Sequence, residues 1–488
     1  MWRVIKYNVS NKKKAMTMNS DKQQGLSRRR FLGVMGTGAA AMGASLMGCR
    51  PKTALEYDPA GHHTSEVPIG QMTYRQFEGL NDSVSILGYG CMRWPTVPDA
   101  NGKDIIDQEA VNELVDYAIE HGVNYFDTSP VYVQGQSEAA TGIALSRHPR
   151  ESYYVATKLS NFSPSTQTFE NSIGMYHESM KRLRVEYLDY YLLHMIGPGG
   201  VGGFNQRFVD NGVLPYLEKE REAGRIRHLG FSFHGEPEAY DWALQEHDKG
   251  NFHWDFVQIQ MNYLDWRFGG EGATVDAHYL YEELEKRQIP VVVMEPLLGG
   301  RLSNLPNHIV ARLKQQRPED SVASWAFRFA ASHKQVLTCL SGMTYLEHLQ
   351  DNIRTYAPLV ELKEEEKQFL YETADLIHEY PTIPCNQCNY CMPCPYGLDI
   401  PAILTHYNKC VNQGNVPESK LDPNYAEARR AFLIGYDRSV PKLRQASHCS
   451  HCNQCSPHCP QRINIPKELD RIDHFVEALK QGTLGDQA

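Results

Sequence analysis

Cysteine placement constrains this chain more than any other feature of its 488 residues. Eight of the twelve cysteines form two runs, Cys385-x2-Cys388-x2-Cys391-x2-Cys394-Pro395 and Cys449-x2-Cys452-x2-Cys455-x3-Cys459-Pro460, while the first 384 residues hold only Cys49, Cys91 and Cys339. A disulfide scaffold would spread its cysteines through a small secreted chain. Clustering points instead to metal ligation in a dedicated C-terminal module. Each CP opens a matching phrase, Pro395-Tyr396-Gly397-Leu398-Asp399-Ile400-Pro401 and Pro460-Gln461-Arg462-Ile463-Asn464-Ile465-Pro466, so the module is an internal repeat. Cysteine at every third residue lets one short loop wrap three thiolates around a single iron-sulfur cube, and the remote cysteine before Pro ligates the other cube. By that crossing rule one 4Fe-4S cluster takes Cys385, Cys388, Cys391 and Cys459, and the other takes Cys449, Cys452, Cys455 and Cys394. The first run has two residues, not three, before its last cysteine. Structural zinc is the alternative, but zinc sites use paired CxxC motifs and have no need of four successive cysteines ending in CP.

Composition narrows the rest. With 49 Lys+Arg against 58 Asp+Glu, a formal charge of -9 and 41% apolar residues, the chain is not a disordered one. No basic block lies beyond the N-terminus, which argues against nucleic acid as a partner. Ser27-Arg28-Arg29-Arg30-Phe31-Leu32 precedes a weakly apolar, glycine-rich stretch that ends in Leu46-Met47-Gly48-Cys49. This stretch resembles a twin-arginine export signal, and its end resembles a lipoprotein box in which Cys49 becomes the lipidated first residue. The expected organisation is a signal over residues 1–49, a proline-containing linker over 50–70, a large domain over 71–359 and the cysteine module over 360–488.

From about Gln71 to Leu359 the chain alternates two periods. Short runs rich in aromatic and β-branched residues, such as Tyr125-Phe126-Asp127, Leu188 to His194 and Val291 to Glu295, alternate with helical patterns. Between Asp107 and His121, Val111, Leu114, Val115, Ala118 and Ile119 recur at helical spacing, and Gly122 ends the pattern as a C-terminal cap. Counting Ser83 to Gly90 as the first strand and Gln335 to Leu340 as the last gives about eight strand-helix units, the size expected of an α/β (β/α)8 TIM barrel. A doubly wound sheet is the competitor, but Leu87-Gly88-Tyr89-Gly90-Cys91-Met92 lacks the third glycine of a dinucleotide turn.

Barrel active sites lie at the C-terminal ends of the strands. Asp127, Lys158 and His194 each end a different apolar strand, and Tyr132 follows Asp127 by five residues. Taken singly, each is more often a rim, structural or packing residue. Together they have a chemical logic. A carbonyl reduced by hydride must receive a proton on oxygen, and a phenol with a pKa of about 10 is a poor donor near neutrality unless a cation lies beside it. Lys158 supplies that cation, Asp127 holds it charged and in place, and His194 orients the substrate oxygen.

These four positions, with Gly230-Phe231-Ser232, Gln260-x-Asn262-Tyr263, Glu295-Pro296-Leu297 and Ser341-Gly342-Met343, resemble the aldo-keto reductase family over essentially the whole barrel. The resemblance implies Tyr132 as general acid, Lys158 and Asp127 as its tuning pair and His194 as the orienting group. It also implies a nicotinamide nucleotide, NADP or NAD, near Ser232, Gln260, Pro296, Leu297, Ser341, Gly342 and Asn352. Departures cluster on that side. Met294 stands where the family usually stacks an aromatic ring, Phe233 follows the Ser of the fifth strand in place of Asn, and Thr344 replaces the Arg that clamps a 2'-phosphate. The cysteine module, with its helical stretch between the runs, resembles an α-helical ferredoxin domain; Cys410 within that stretch reads as an ordinary buried thiol.

The combined expectation is an exported oxidoreductase, periplasmic or held to the membrane by a lipid anchor. It acts on a carbonyl or alcohol substrate, a sugar among the candidates, and its two clusters relay electrons to a redox partner. A hydride carries two electrons and a cluster one, so attached clusters imply electrons that enter or leave by wire. The alternatives are an electron-transfer or scaffold lipoprotein with an inactive barrel, and a cytoplasmic NADPH-dependent carbonyl reductase. The intact set of Asp127, Tyr132, Lys158 and His194 argues against the first, and the N-terminal signal against the second.

Overall fold

The computed structural model describes residues 66–267 and 276–485. The expected signal, Cys49 and most of the linker lie outside the described residues. Eight parallel strands close into a barrel: β1 (Leu87–Gly90), β2 (Tyr125–Asp127), β3 (Tyr154–Leu159), β4 (Leu188–Ile196), β5 (Ile226–Phe233), β6 (Phe256–Gln260), β7 (Val291–Met294) and β8 (Val336–Ser341), with β8 pairing back onto β1. At least one helix follows each strand, as the alternating periods predict. In the first, Gln108–Glu120, Asp107 accepts the Ala110 N–H as N-cap, Val111, Leu114, Val115 and Ala118 are buried, and Gly122 adopts φ +91°.

Inside the barrel Tyr125, Ala156, Tyr190, Phe256, Val292 and Leu337 fill the lumen. A larger apolar layer lies between strands and helices. The strand interiors are therefore buried on both faces, which is why they read as continuous apolar runs and not as alternations.

Two boundaries differ from the sequence expectation. The segment Ser83 to Gly90 is not one strand: Val84–Ser85 pairs antiparallel with Tyr74–Arg75, and only Leu87–Gly90 enters the barrel. The Ser85 hydroxyl donates to Leu87 O, and the Ser85 N–H donates to Asn124 Oδ1, so the chain turns between the two pieces. The helix Glu364–His378, placed by sequence in the C-terminal module, instead buries Leu370, Ala374 and Ile377 in the barrel's outer core.

The C-terminal module has its own core, built by helices Ile400–Asn412, Tyr425–Ser439 and Ile465–Gln481. The repeated phrase after each CP is a helix start. Asp399 accepts from Ala402 N–H and Asn464 from Lys467 N–H, and a proline occupies the first turn of each helix. The repeat extends to the backbone. Gln387 and Asn389 in the first run, and His451 and Asn453 in the second, all take left-handed φ between 54° and 65°; Gly397 and Arg462 form a third matched pair. Left-handed residues at these intervals coil each loop inward, the winding that gathers three cysteines around one centre. No helix among the described residues is long and apolar enough to cross a membrane.

The module sits on the C-terminal end of the barrel. Arg93, after β1, donates to Asn386 O at 2.8 Å; Arg301 and Asn304, after β7, bond Thr382 Oγ1 and the Asn412 amide; Gln461 donates to Gln260 Oε1 at 3.0 Å. Gly299, at φ +64°, has no room for a side chain: a Cβ there would lie 2.0 Å from Asn386 O. A Gly299→Val chain is expected to lose this seat while keeping the barrel. Limited proteolysis should then cut between residues 379 and 385 at least tenfold faster than in the native chain, with unchanged barrel circular dichroism; an unchanged cutting rate counts against the seat.

Candidate active site

The four expected catalytic positions meet at the strand ends. Lys158 is fully buried; its Nζ donates to Asp127 Oδ1 at 2.5 Å and to Thr128 O at 2.8 Å, and stands 5.1 Å from the centre of the Tyr132 ring. Burial pushes Asp127 up and Lys158 down, against charge on either group, and their mutual attraction offsets this. The loop that carries Tyr132 holds two non-glycine residues, Val133 at φ 48° and Gln134 at φ 55°, in the left-handed region. Such positions cost about 1–3 kcal/mol each and gather at functional sites.

From the sequence, the Lys158 cation is expected to make the Tyr132 phenol more acidic. The structure shows the opposite balance. Burial raises the Tyr132 pKa well above 10, with Tyr390, Asp127, Glu295 and Cys91 adding to it, so the hydroxyl keeps its proton. Lys158 is turned toward the carboxylate and a carbonyl, and not toward the phenol oxygen.

His194 is likewise buried. Its Nδ1 lies 2.6 Å from Ser160 Oγ and 3.4 Å from Ser129 Oγ, and its ring meets the Tyr132 ring edge-on at 6.1 Å. Desolvation, then the Lys158, His234 and Arg207 charges, hold it well below its usual pKa and therefore neutral. If Ser160 donates to Nδ1, the single ring proton resides on Nε2, the atom left for a substrate oxygen. Arg207 fixes the β4 end by donating to the carbonyls of His194 and Met195.

A cavity of about 760 Å³ joins Asp127, Tyr132 and His194 to the strand 8 end. Of the expected nucleotide residues, Pro296, Leu297, Ser341, Gly342 and Asn352 line it, whereas Ser232 and Gln260 are not in its lining. Gln260 is committed elsewhere, to Asp265 and to Gln461 of the cysteine module. Ser232 Oγ and Gln258 Oε1 are buried, and no hydrogen-bond partner reaches them. Those orphaned atoms suit an amide such as a nicotinamide headgroup. At the other end the lining holds Glu347, Asp351 and Arg93; the Arg93 guanidinium donates to Asn386 O, and the Thr344 hydroxyl donates to Arg93 O.

Three lining residues escaped the sequence reading. His234, after β5, is pushed down to about 4 by burial and the Lys158 charge. Glu295, at φ 54° beyond β7, is pushed up to about 6 by burial, with Arg93 and an Asn386 hydrogen bond opposing. Tyr390 comes from the first cysteine run and lines the cavity together with Tyr132. Cys388 and Pro460 complete that roof.

The cysteines fit the cluster pattern. All eight are free thiols. Burial raises the thiols of Cys385, Cys388 and Cys391, Cys388 to about 12, and each also feels the charge of Cys459, which is remote in sequence but near in space. Cys449 and Cys452 act on Cys455 in the same way. Buried thiols grouped like this become thiolates only with a compensating cation, the chemistry iron supplies.

The aldo/keto reductase family model matches residues 86–370, and a 4Fe-4S dicluster domain matches residues 384–464. The chain belongs to the aldo/keto reductase family and carries a 4Fe-4S dicluster domain at its C-terminal end. Among relatives, an aldo-keto reductase of Mycolicibacterium smegmatis is 32% identical over 167 residues, 34% of this chain and 53% of that protein. The chain thus spans about half of that relative's length. Methylglyoxal reductase YeaE of Escherichia coli is 27% identical over 255 residues, 51% of this chain and 80% of that protein. A solved aldo-keto reductase of Bacillus halodurans superposes with a TM-score of 0.49 at 22% identity, covering 62% of this chain and 96% of that one.

Replacing Asp127 by Asn leaves the buried Lys158 ammonium without its counter-charge. Losing one partner of a buried pair costs about 3–5 kcal/mol, so denaturant unfolding at pH 7 should show a loss of that size. Lys158 then has a folded pKa depressed below its unfolded value near 10.4, so the unfolded state binds more protons and stability rises with pH in that window. The deficit should shrink between pH 7 and 10, and a pH-independent deficit would contradict the pairing.

Proposed function

We propose that this oxidoreductase interconverts a carbonyl and an alcohol in the barrel cavity, with a sugar among its substrates, and that its clusters pass the electrons to a redox partner. One observation carries the reading: the roof of the cavity that holds Tyr132 and His194 is the first cysteine run itself, through Tyr390 and Cys388. A barrel reductase served only by a diffusing nucleotide gains nothing from a cluster loop at its reacting centre.

The chain's own residues supply proton chemistry. Tyr132, kept protonated by burial, delivers its proton to a substrate oxygen as negative charge develops there, and takes it back in the oxidative direction. Neutral His194 donates one hydrogen bond to the same oxygen and fixes its position. Lys158 and Asp127 hold the floor of the site rigid and place a positive charge near the phenol ring. The cap excludes water, which strengthens each of these interactions. When bound, the 4Fe-4S clusters supply one-electron transfer; Cys385, Cys388, Cys391 and Cys459 would hold one, and Cys449, Cys452, Cys455 and Cys394 the other. Gln258, which lines the cavity with an unpartnered Oε1, would receive a nicotinamide amide if a nucleotide is carried.

The twin-arginine-like segment supports export of the folded, loaded protein, and Leu46-Met47-Gly48-Cys49 supports lipid attachment at the outer face of the membrane. Outside the cytoplasm no free NADPH pool is expected, in keeping with electron supply by wire. In fractionated cells the native chain should sediment with membranes, and Cys49→Ser should release it; a native chain that stays in the cytoplasm refutes export.

Tyr132→Phe should lower turnover at least a hundredfold and leave the iron content unchanged. Anaerobically purified chain should hold about eight irons and Cys459→Ser about four. Full activity without the Tyr132 hydroxyl, or stoichiometric zinc, would defeat the reading. Mass spectrometry of the small molecules released on denaturation should find a bound two-electron carrier, such as a nicotinamide nucleotide, that gives or takes the hydride; finding none would defeat the carbonyl–alcohol reading.

A further inference from the structure

The two cysteine runs share a backbone course but not their side chains. Gln387 and Asn389 match His451 and Asn453 in left-handed φ, so both loops coil alike. The residue just before the third cysteine is Tyr390 in the first run and Gln454 in the second. A tyrosine is therefore not needed to wind the loop. Tyr390 is partly buried and lines the cavity together with Tyr132 and Glu295. Its peptide runs directly into Cys391, and Cys388 stands in the same cavity wall. The loop cannot swing away freely, because Arg93 holds Asn386 O and Gly299 lies against the Asn386 backbone.

We propose that Tyr390 is a positioning residue of the active site, delivered by the loop that grips the first cluster, and that its contact with Tyr132 makes the barrel site and that cluster sense one another. This rests on the reading of the cysteines as 4Fe-4S ligands. The connection runs across one shared cavity wall and along one peptide unit. Coupling between two sites is reciprocal, so a change at the Tyr132 hydroxyl must be felt at the cluster as strongly as a change at the cluster is felt at the hydroxyl. The second run, with Gln454 in the equivalent place, has no such link to the tetrad.

The test needs no substrate. Full-length chain is prepared anaerobically, checked for iron, and titrated with dithionite and mediators while the cluster signals are followed by electron paramagnetic resonance. Tyr132→Phe changes one atom in the barrel and none in the cysteine module. It should shift the midpoint of one cluster by at least threefold in its equilibrium constant, about 28 mV at 59 mV per tenfold, and leave the other cluster in place. Tyr390→Phe should shift the same cluster, and the double variant should add nothing beyond the larger single shift, as expected when two groups act through one contact. Unmoved midpoints in Tyr132→Phe, or shifts that simply add in the double variant, overturn the proposal while leaving the cluster reading intact. A native chain without iron overturns both. If Tyr390→Phe loses its iron, the Tyr132→Phe titration alone decides.

Discussion

Close packing between one glycine and one peptide sets the geometry of this site. Gly299 lies against the Asn386 backbone with no space for even a methyl group, and Arg93, beyond β1, donates to the same carbonyl. Protein interiors are too dense to absorb a misfit of that size elsewhere. The first cysteine run is thereby fixed at the barrel mouth, and the residues two and four positions beyond Asn386, Cys388 and Tyr390, become cavity wall. The mouth of this barrel is roofed by the cysteine module.

Roofing the mouth changes the electrostatics beneath it. Desolvation is the largest influence on Asp127, Tyr132, Lys158, His194 and Glu295 alike, and in each it disfavours the charged form. The Lys158–Asp127 pair keeps its charges only because each is the other's partner. Tyr132 and His194 have no such partner and stay neutral, as an acid and a hydrogen-bond donor should before reaction. A neutral phenol and imidazole in a dry pocket give most of their stabilisation when an oxygen nearby becomes negative, which is the transition state and not the ground state.

Much of this was legible in the sequence, and the rest was not for physical reasons. Asp127, Lys158 and His194 stood out because a polar residue that ends an apolar strand can only lie at the barrel rim. The pairing of Cys459 with the first run is what the crossing rule of two-cluster ferredoxins implies, and Cys459 lies near that run. Contacts between modules were invisible, since nothing local distinguishes Asn386 or Gly299 from any loop residue. Glu295 was quoted as part of a motif without its burial, which depends on Arg93 and Asn386 arriving from far away. Gln260 is expected beside a nucleotide, but it is held by Asp265 and, from the other module, by Gln461. The direction of the Tyr132 shift failed because proximity to Lys158 was weighed and desolvation was not. Tyr390 alone left a trace: aligning the two runs sets it against Gln454, a departure from an otherwise faithful repeat.

The repeat also gives the proposed relay a direction. Cys385, Cys388 and Cys391 are partly buried against the barrel, whereas Cys452 in the second run is exposed. Two loops of the same winding thus face opposite environments, one a closed catalytic cavity and the other solvent. One-electron carriers work in series when the inner one meets the substrate and the outer one meets the partner. Two electrons accompany each carbonyl–alcohol interconversion, and two cubes in one module would match that number. Under the proposed relay the exposed Cys452 marks the side of the module from which electrons would leave, and the cavity wall at Cys388 the side from which they would enter.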